Sequence, residues 1–294
     1  MNIFQNIKLF LIFILIIINI IFYFIFPENI SKEIWHIIVK LCMMLMNVKT
    51  NVYGNKENLN TNNLLIMCNH TDGLNDGSII YNLYYNNNKE NILYTIVKSN
   101  IVGDSNDNSI LSNILSYIKT SILKSLHFIS YTRGNKENGL VVKNIVADYI
   151  KNNKNILVFP EGTTRKNGIP KEFKHGIFQL AIEHNMNILP ITIKYDKDIG
   201  TEREEPLNMS LIFNNNADVY IHDIIDCETD ECYKNKDFLA LKNKTFDIIC
   251  SPFKNGDNKI KSEEIIDIDS KTTADLPKTT ADLPKTTADL PVPA

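Results

Sequence analysis

Four short apolar runs, at residues 64–68, 92–97, 156–159 and 188–194, punctuate the middle of the chain, each bounded by Asn-rich segments. Runs of this length between turn residues predict strands, and helical patterns separate them. Leu140, Val141, Asn144, Ile145, Asp148 and Tyr149 belong to a stretch whose apolar members recur at three-to-four spacing, and residues 176–184 give another helix. Such alternation predicts an α/β fold, a mostly parallel central sheet flanked by helices, with sites at the carboxyl ends of strands. A further helix over residues 109–126 sets Ile110, Ile114, Ile118 and Ile122 four residues apart. It is read either as a cover for the sheet or as an amphipathic helix that lines a groove or lies on a membrane.

Two of the strand ends carry chemistry. Asn69-His70 follows the first run, and Pro160-Glu161-Gly162 follows the third. Histidine suits the task of removing a proton near neutral pH, because its ordinary pKa is about 6.5. A carboxylate against the other ring nitrogen fixes the tautomer and stabilises the imidazolium. Downstream of His70 stand Asp72, Asn75 and Asp76, with Gly73 permitting a tight loop, and Asp76 is the expected partner. The other histidines, His36, His127, His175, His184 and His222, lack this context and read as structural or solvated. Gly162 allows close backbone approach, Thr163 offers a hydroxyl, and Glu161 is placed to orient donors. Lys174 and His175 add positive potential just before a helix whose amino end favours an anion.

Four blocks in order resemble the glycerolipid acyltransferases, the family that includes the 1-acylglycerol-3-phosphate O-acyltransferases. These are Asn69-His70, the Ile-Ser-Tyr-Thr-Arg-Gly of residues 129–134, the Phe-Pro-Glu-Gly-Thr-Thr-Arg of residues 159–165 with residues 173–181, and Ile188-Leu189-Pro190-Ile191. The resemblance implies acyl transfer from a thioester to a glycerol hydroxyl, with His70 and Asp76 catalytic. It assigns the grip on the phosphate-bearing acceptor to Arg133, Glu161, Gly162, Thr163, Arg165 and Lys174. The family pattern is His, four residues, then Asp; here Asn75 stands at that spacing and the acid comes one position later. Implied partners are acyl-CoA, as co-substrate rather than cofactor, and a lysophospholipid or glycerol phosphate. No other cofactor and no metal is expected. The alternative is a catalytically inactive, lipid-binding or membrane-shaping protein of the same fold, and hydrolysis of the thioester without an acceptor is a third reading.

The chain divides into an anchor and interfacial helix at residues 1–49, an acyltransferase domain at 50–254 and a disordered repeat tail at 255–294. Residues 9–26 hold one strongly polar member, Asn19, before Pro27. Eighteen residues of helix span about 27 Å, enough for a hydrocarbon core, and no small-residue cleavage site follows. A retained membrane anchor helix is therefore preferred over a signal peptide. Residues 34–48 read as an interfacial or re-entrant helix, or as an ordinary core helix. Lys32, Lys40 and Lys49 after the span, against Lys8 before it, place the catalytic domain on the cytosolic side, and the family resemblance suggests the endoplasmic reticulum. Three copies of Lys-Thr-Thr-Ala-Asp-Leu-Pro, with proline in each, exclude a continuous helix in the tail. A formal net charge of −3 argues against nucleic acid as partner. Five cysteines without C-x-x-C spacing indicate neither a disulfide framework nor a zinc site.

Overall fold

A computed structural model describes residues 2–72, 74–98, 123–131, 136–165, 168–199 and 209–254. Gly73, most of the 109–126 helix, Arg133 and the repeat tail lie outside the described residues. Helices α1 (Ile3–Ile25) and α2 (Glu28–Met46) lead into strands β1 (Lys49–Gly54) and β2 (Leu64–Cys68). Then come α3 (Asn75–Asn87), β3 (Leu93–Lys98), β4 (Phe128–Tyr131), α4 (Lys136–Lys151), β5 (Asn155–Val158), α5 (Gly176–Glu183) and β6 (Asn187–Tyr195). β7 (Asn216–Ile221), α6 (Glu231–Lys234) and α7 (Phe238–Lys254) complete the described chain.

The strands form one sheet in the order β1-β7-β6-β2-β5-β3-β4. β6, β2, β5, β3 and β4 run parallel; β7 is antiparallel to β6 and parallel to β1. The sheet is thus mostly parallel and flanked by helices, as the alternation predicts. β2 lies at its centre, and its pattern explains its composition. Leu64, Ile66 and Cys68 face one apolar core with α2 and α3, whereas Leu65 and Met67 join Val146 of α4, Phe178 of α5 and Ile249 of α7 on the other face. A strand covered on both faces is apolar at every position.

The Asn-rich punctuation has a backbone reason. Asn47, Asn63, Asn153, Asn185 and Asn214 all adopt positive φ, between 50° and 58°. Asparagine tolerates this left-handed region better than other residues with a Cβ, so it ends helices and turns the chain. β1 and β7, which the sequence reading does not anticipate, form one edge of the sheet. β7 alternates, with Ala217, Val219 and Ile221 inward, while β1 is largely exposed.

α2 begins at Glu28, six residues earlier than expected, because Pro27 caps its start rather than separating it from a later helix. Ile38, Val39, Cys42, Met43 and Met46 join the core against α3, while Ile30, Ile37 and Met44 are exposed. Lys32 ties the helix to the loop after α3 by donating from Nζ to the carbonyls of Lys89 and Glu90. α1 is, among the described residues, the one helix long and apolar enough to cross a membrane. Most of its surface is exposed, yet Ile12 and Asn19 are buried, and Asn19 donates from Nδ2 to the Ser125 carbonyl at 3.1 Å.

Asn155 ties three elements at the amino edge of the sheet. Its Oδ1 accepts the Leu64 N–H at 2.8 Å, and its Nδ2 donates to the Thr61 carbonyl at 2.8 Å and to the Tyr84 hydroxyl at 2.9 Å. Asn155→Leu leaves these groups buried without partners, so unfolding stability is expected to fall by at least about 2 kcal/mol. A urea midpoint equal to that of the parent protein would contradict this role.

Candidate active site

The site grows from the carboxyl end of β2. Asn69, fully buried, exchanges two hydrogen bonds with the Ile193 backbone of β6: Nδ2 donates to the carbonyl at 2.9 Å and Oδ1 accepts the N–H at 2.8 Å. Nδ2 also donates to the Gly168 carbonyl at 2.9 Å. Gly168 sits at φ +72°, and a Cβ there would lie 2.5 Å from the Thr71 hydroxyl oxygen, so the loop fits only because this residue has no side chain.

His70 is held by both of its backbone groups. Its N–H donates to Glu161 Oε1 at 3.0 Å, and its carbonyl accepts the Arg165 N–H at 2.8 Å. The loop after β5 therefore clamps the residue that follows β2. The imidazole stacks on the Phe159 ring, with centroids 4.2 Å apart and planes 22° from parallel. Its Nδ1 lies 3.0 Å from Asp76 Oδ2, and its side chain keeps 17% exposure. With Nδ1 protonated toward the carboxylate, Nε2 carries the lone pair on the opposite edge of the ring.

The structure sorts the three residues that follow His70 by direction. Asp72 Oδ1 accepts the N–H groups of Leu74 at 2.7 Å and Asn75 at 3.1 Å, so its side chain caps the start of α3. Asn75 reaches away, donating from Nδ2 to the Ile212 carbonyl at 3.3 Å. Asp76 points back to His70. Consecutive helical residues diverge by about 100°, so one position in the first turn of α3 separates these two directions. Asp76 Oδ2 also accepts the N–H groups of Thr71 at 2.7 Å and Asp72 at 2.9 Å, and Oδ1 accepts the Tyr195 hydroxyl at 2.7 Å.

In the loop after β5, the Gly162 N–H donates to the Phe159 carbonyl at 2.9 Å, and Gly162 takes a φ of 64°. Glu161 Oε2 lies 3.4 Å from Arg165 Nε, and Thr163 stands half-buried between them in sequence. Lys174 approaches by its backbone, donating to the Pro160 carbonyl at 2.8 Å, while its exposed ammonium lies 3.7 Å from Glu172. His70, Asp76, Glu161, Gly162 and Arg165 therefore come together at one edge of the sheet. The Lys174 side chain is turned to solvent.

A family model described as acyltransferase matches residues 49–194, a span that includes β2, the His70 loop, the 159–165 loop and most of β6. The chain carries a domain of the acyltransferase family. Its fold is similar to the crystal structure of the 1-acyl-sn-glycerophosphate (LPA) acyltransferase PlsC from Thermotoga maritima, with a TM-score of 0.53 and 14% identity over 84% of this chain and 95% of that one. No curated protein matches the sequence.

Three contributors to this acyltransferase site escape sequence reasoning: Tyr195, Phe159 as a stacking partner, and Gly168. Tyr195 lies 119 residues from Asp76, and no spacing rule connects them. Gly168 carries a signal in principle, as a glycine in a loop just after the Glu161 motif.

Burial dominates the electrostatics. It pushes the Glu161 carboxyl up to about 7, against the opposing His70 N–H and Arg165. It raises Asp72 to about 6, with the Asp76 charge adding to the effect. An unfolded Glu161 titrates near its ordinary 4.5, so folding favours its protonated form. That contribution is whole below pH 4.5 and is lost as pH rises through about 7. Glu161→Gln retains a carbonyl acceptor for the His70 N–H and carries no charge. The thermal midpoint of this variant should exceed the parent's by more at pH 8 than at pH 5. An equal difference at both would overturn the assignment.

Proposed function

We propose that the protein is a membrane-bound O-acyltransferase that moves a fatty acyl group from acyl-CoA to a hydroxyl of lysophosphatidic acid or a related lysophospholipid. In this reading His70 Nε2 removes the hydroxyl proton as the acceptor oxygen attacks the thioester carbonyl. The tetrahedral intermediate then collapses, the carbon–sulfur bond breaks, and the coenzyme A thiolate leaves. The proton on His70 passes to that thiolate, which restores the neutral ring. Asp76 stabilises the imidazolium between these steps. No metal or other cofactor takes part.

The single observation that supports this reading over a catalytically inactive lipid-binding protein is the 3.0 Å contact between His70 Nδ1 and Asp76 Oδ2, which closes despite the irregular spacing. For the acceptor, Arg165 is steered by Glu161 into the loop that holds His70, where a phosphate would meet a guanidinium. Gly162 and Thr163 line the same turn, and Arg133 is assigned to the same anion, whereas the Lys174 ammonium, turned to solvent beside Glu172, is left out of it. His70→Ala and Asp76→Asn should each lower turnover by about 10³ or more with the domain still folded, whereas Asp72→Asn should be milder. Product masses from a panel of lysolipids with long-chain acyl-CoA provide the measurement. Substantial acyl transfer by Asp76→Asn would return weight to the inactive reading or to another acid.

Membrane binding is assigned to α1, whose outward face includes Phe10, Phe13, Ile17, Ile21 and Phe24. A cytosol-facing catalytic domain at the endoplasmic reticulum follows from the lysine bias and the family resemblance. Because these side chains are exposed, replacing Phe10, Phe13 and Phe24 with Asn should spare the fold and release the protein from sedimenting phospholipid vesicles. Sedimentation equal to the parent's would remove α1 as the anchor.

A further inference from the structure

We propose that Tyr195 is a positioning residue for the His70–Asp76 pair, locking the plane of the Asp76 carboxylate through its second oxygen. The inference rests on the acyl-transfer reading of that pair and adds a residue from the last position of β6. Three donors, the His70 ring and the backbone N–H groups of Thr71 and Asp72, all meet Asp76 at Oδ2. The carboxyl plane turns about the Cβ–Cγ bond, which swings both oxygens, and bonds gathered on one oxygen restrain that turn from one side only. The Tyr195 hydroxyl, 2.7 Å from Oδ1, holds the second oxygen and so fixes the plane.

β6 is suited to this task because it already fixes His70 from the other side. The Ile193 backbone holds Asn69, the neighbour of His70, and Tyr195 stands two residues further along the same strand. One rigid strand therefore sets both halves of the pair. The phenol stays protonated, since burial and the nearby Asp76 push it well above its ordinary 10, so it acts as a donor.

The donor also has an electrostatic consequence. It stabilises the carboxylate charge, and its removal makes a proton on the His70–Asp76 pair harder to lose, whichever member carries it. Among the described residues, the other ionisable groups facing the pair are Cys68 at the end of β2, Asp72 in the following loop, and Glu161 and Arg165 in the loop after β5. Tyr195→Phe leaves all four in place.

The test follows the His70 Cε1–H resonance by NMR across pH in the full-length protein in detergent micelles, assigned by its loss in His70→Ala. Tyr195→Phe should raise the titration midpoint by roughly half a unit or more, and 3-fluorotyrosine at position 195, a near-isosteric and stronger donor, should lower it. Turnover of lysophosphatidic acid with oleoyl-CoA should fall about tenfold in Tyr195→Phe, with both KM values within about twofold. In an Asp76→Asn background the same change should have no further effect on turnover. A thermal midpoint verifies that each variant is folded. Unmoved NMR midpoints in folded Tyr195→Phe and in the fluorotyrosine protein would overturn the positioning role. Full activity in His70→Ala would overturn the acyl-transfer reading instead, and the NMR midpoints separate the two failures because they do not depend on turnover.

Discussion

The site depends on satisfying polar groups where a fully buried strand runs out. β2 delivers its chain into the interior edge of the sheet, and every N–H and carbonyl beyond Cys68 needs a partner that water cannot supply. Asn69 and His70 answer this together. Asn69 acts as a side-chain bridge to β6 and to Gly168, while the backbone of His70 is closed by Glu161 and Arg165. The loops after β2 and β5 are thereby fixed to each other before the imidazole makes any contact of its own. An imidazole whose backbone is held on both sides and whose ring is stacked on Phe159 has little orientational entropy left to lose.

Three carboxylates surround this histidine, and their bonding separates their roles. Asp76 has both oxygens engaged by donors, four in all, and sits in the first turn of α3, where the helix dipole favours negative charge. Asp72 is occupied in capping the same helix, and burial lifts it to about 6. Glu161 pairs with Arg165 and is lifted to about 7, so near neutral pH it lies close to its own titration. The group with four donors is suited to stabilise an imidazolium, and the other two, each with fewer donors, serve the loop architecture.

The strands and the two motif loops were legible because their signals are local: continuous apolar runs, Asn-rich boundaries, and the His70 and Glu161 motifs. The irregular spacing was also interpretable, since helical geometry turns residue 76 toward the ring and residue 75 away. What remained hidden is non-local or two-faced. β1 is an edge strand and β7 lies beside it, both with modest apolar content, and their pairing depends on residues more than 160 positions apart, such as Val52 opposite Val219. α2 mixes a buried and an exposed apolar face, so periodicity alone cannot choose between core and interface. Tyr195 ends a strand as many tyrosines do, and its role is visible only once α3 folds beside it.

Asn19 shows how a single polar residue orients the amino-terminal helix. An amide in an otherwise apolar helix is costly wherever it faces hydrocarbon, and such residues turn toward protein partners. Here the partner is the Ser125 carbonyl, just before the turn that leads into β4. The bond fixes the rotation of α1 about its axis, since turning Asn19 inward turns Phe10, Phe13, Ile17, Ile21 and Phe24 outward. Ile12, two turns earlier, packs into the same core as α2 and α3. The helix that presents apolar surface is consequently held in register with the domain that carries His70.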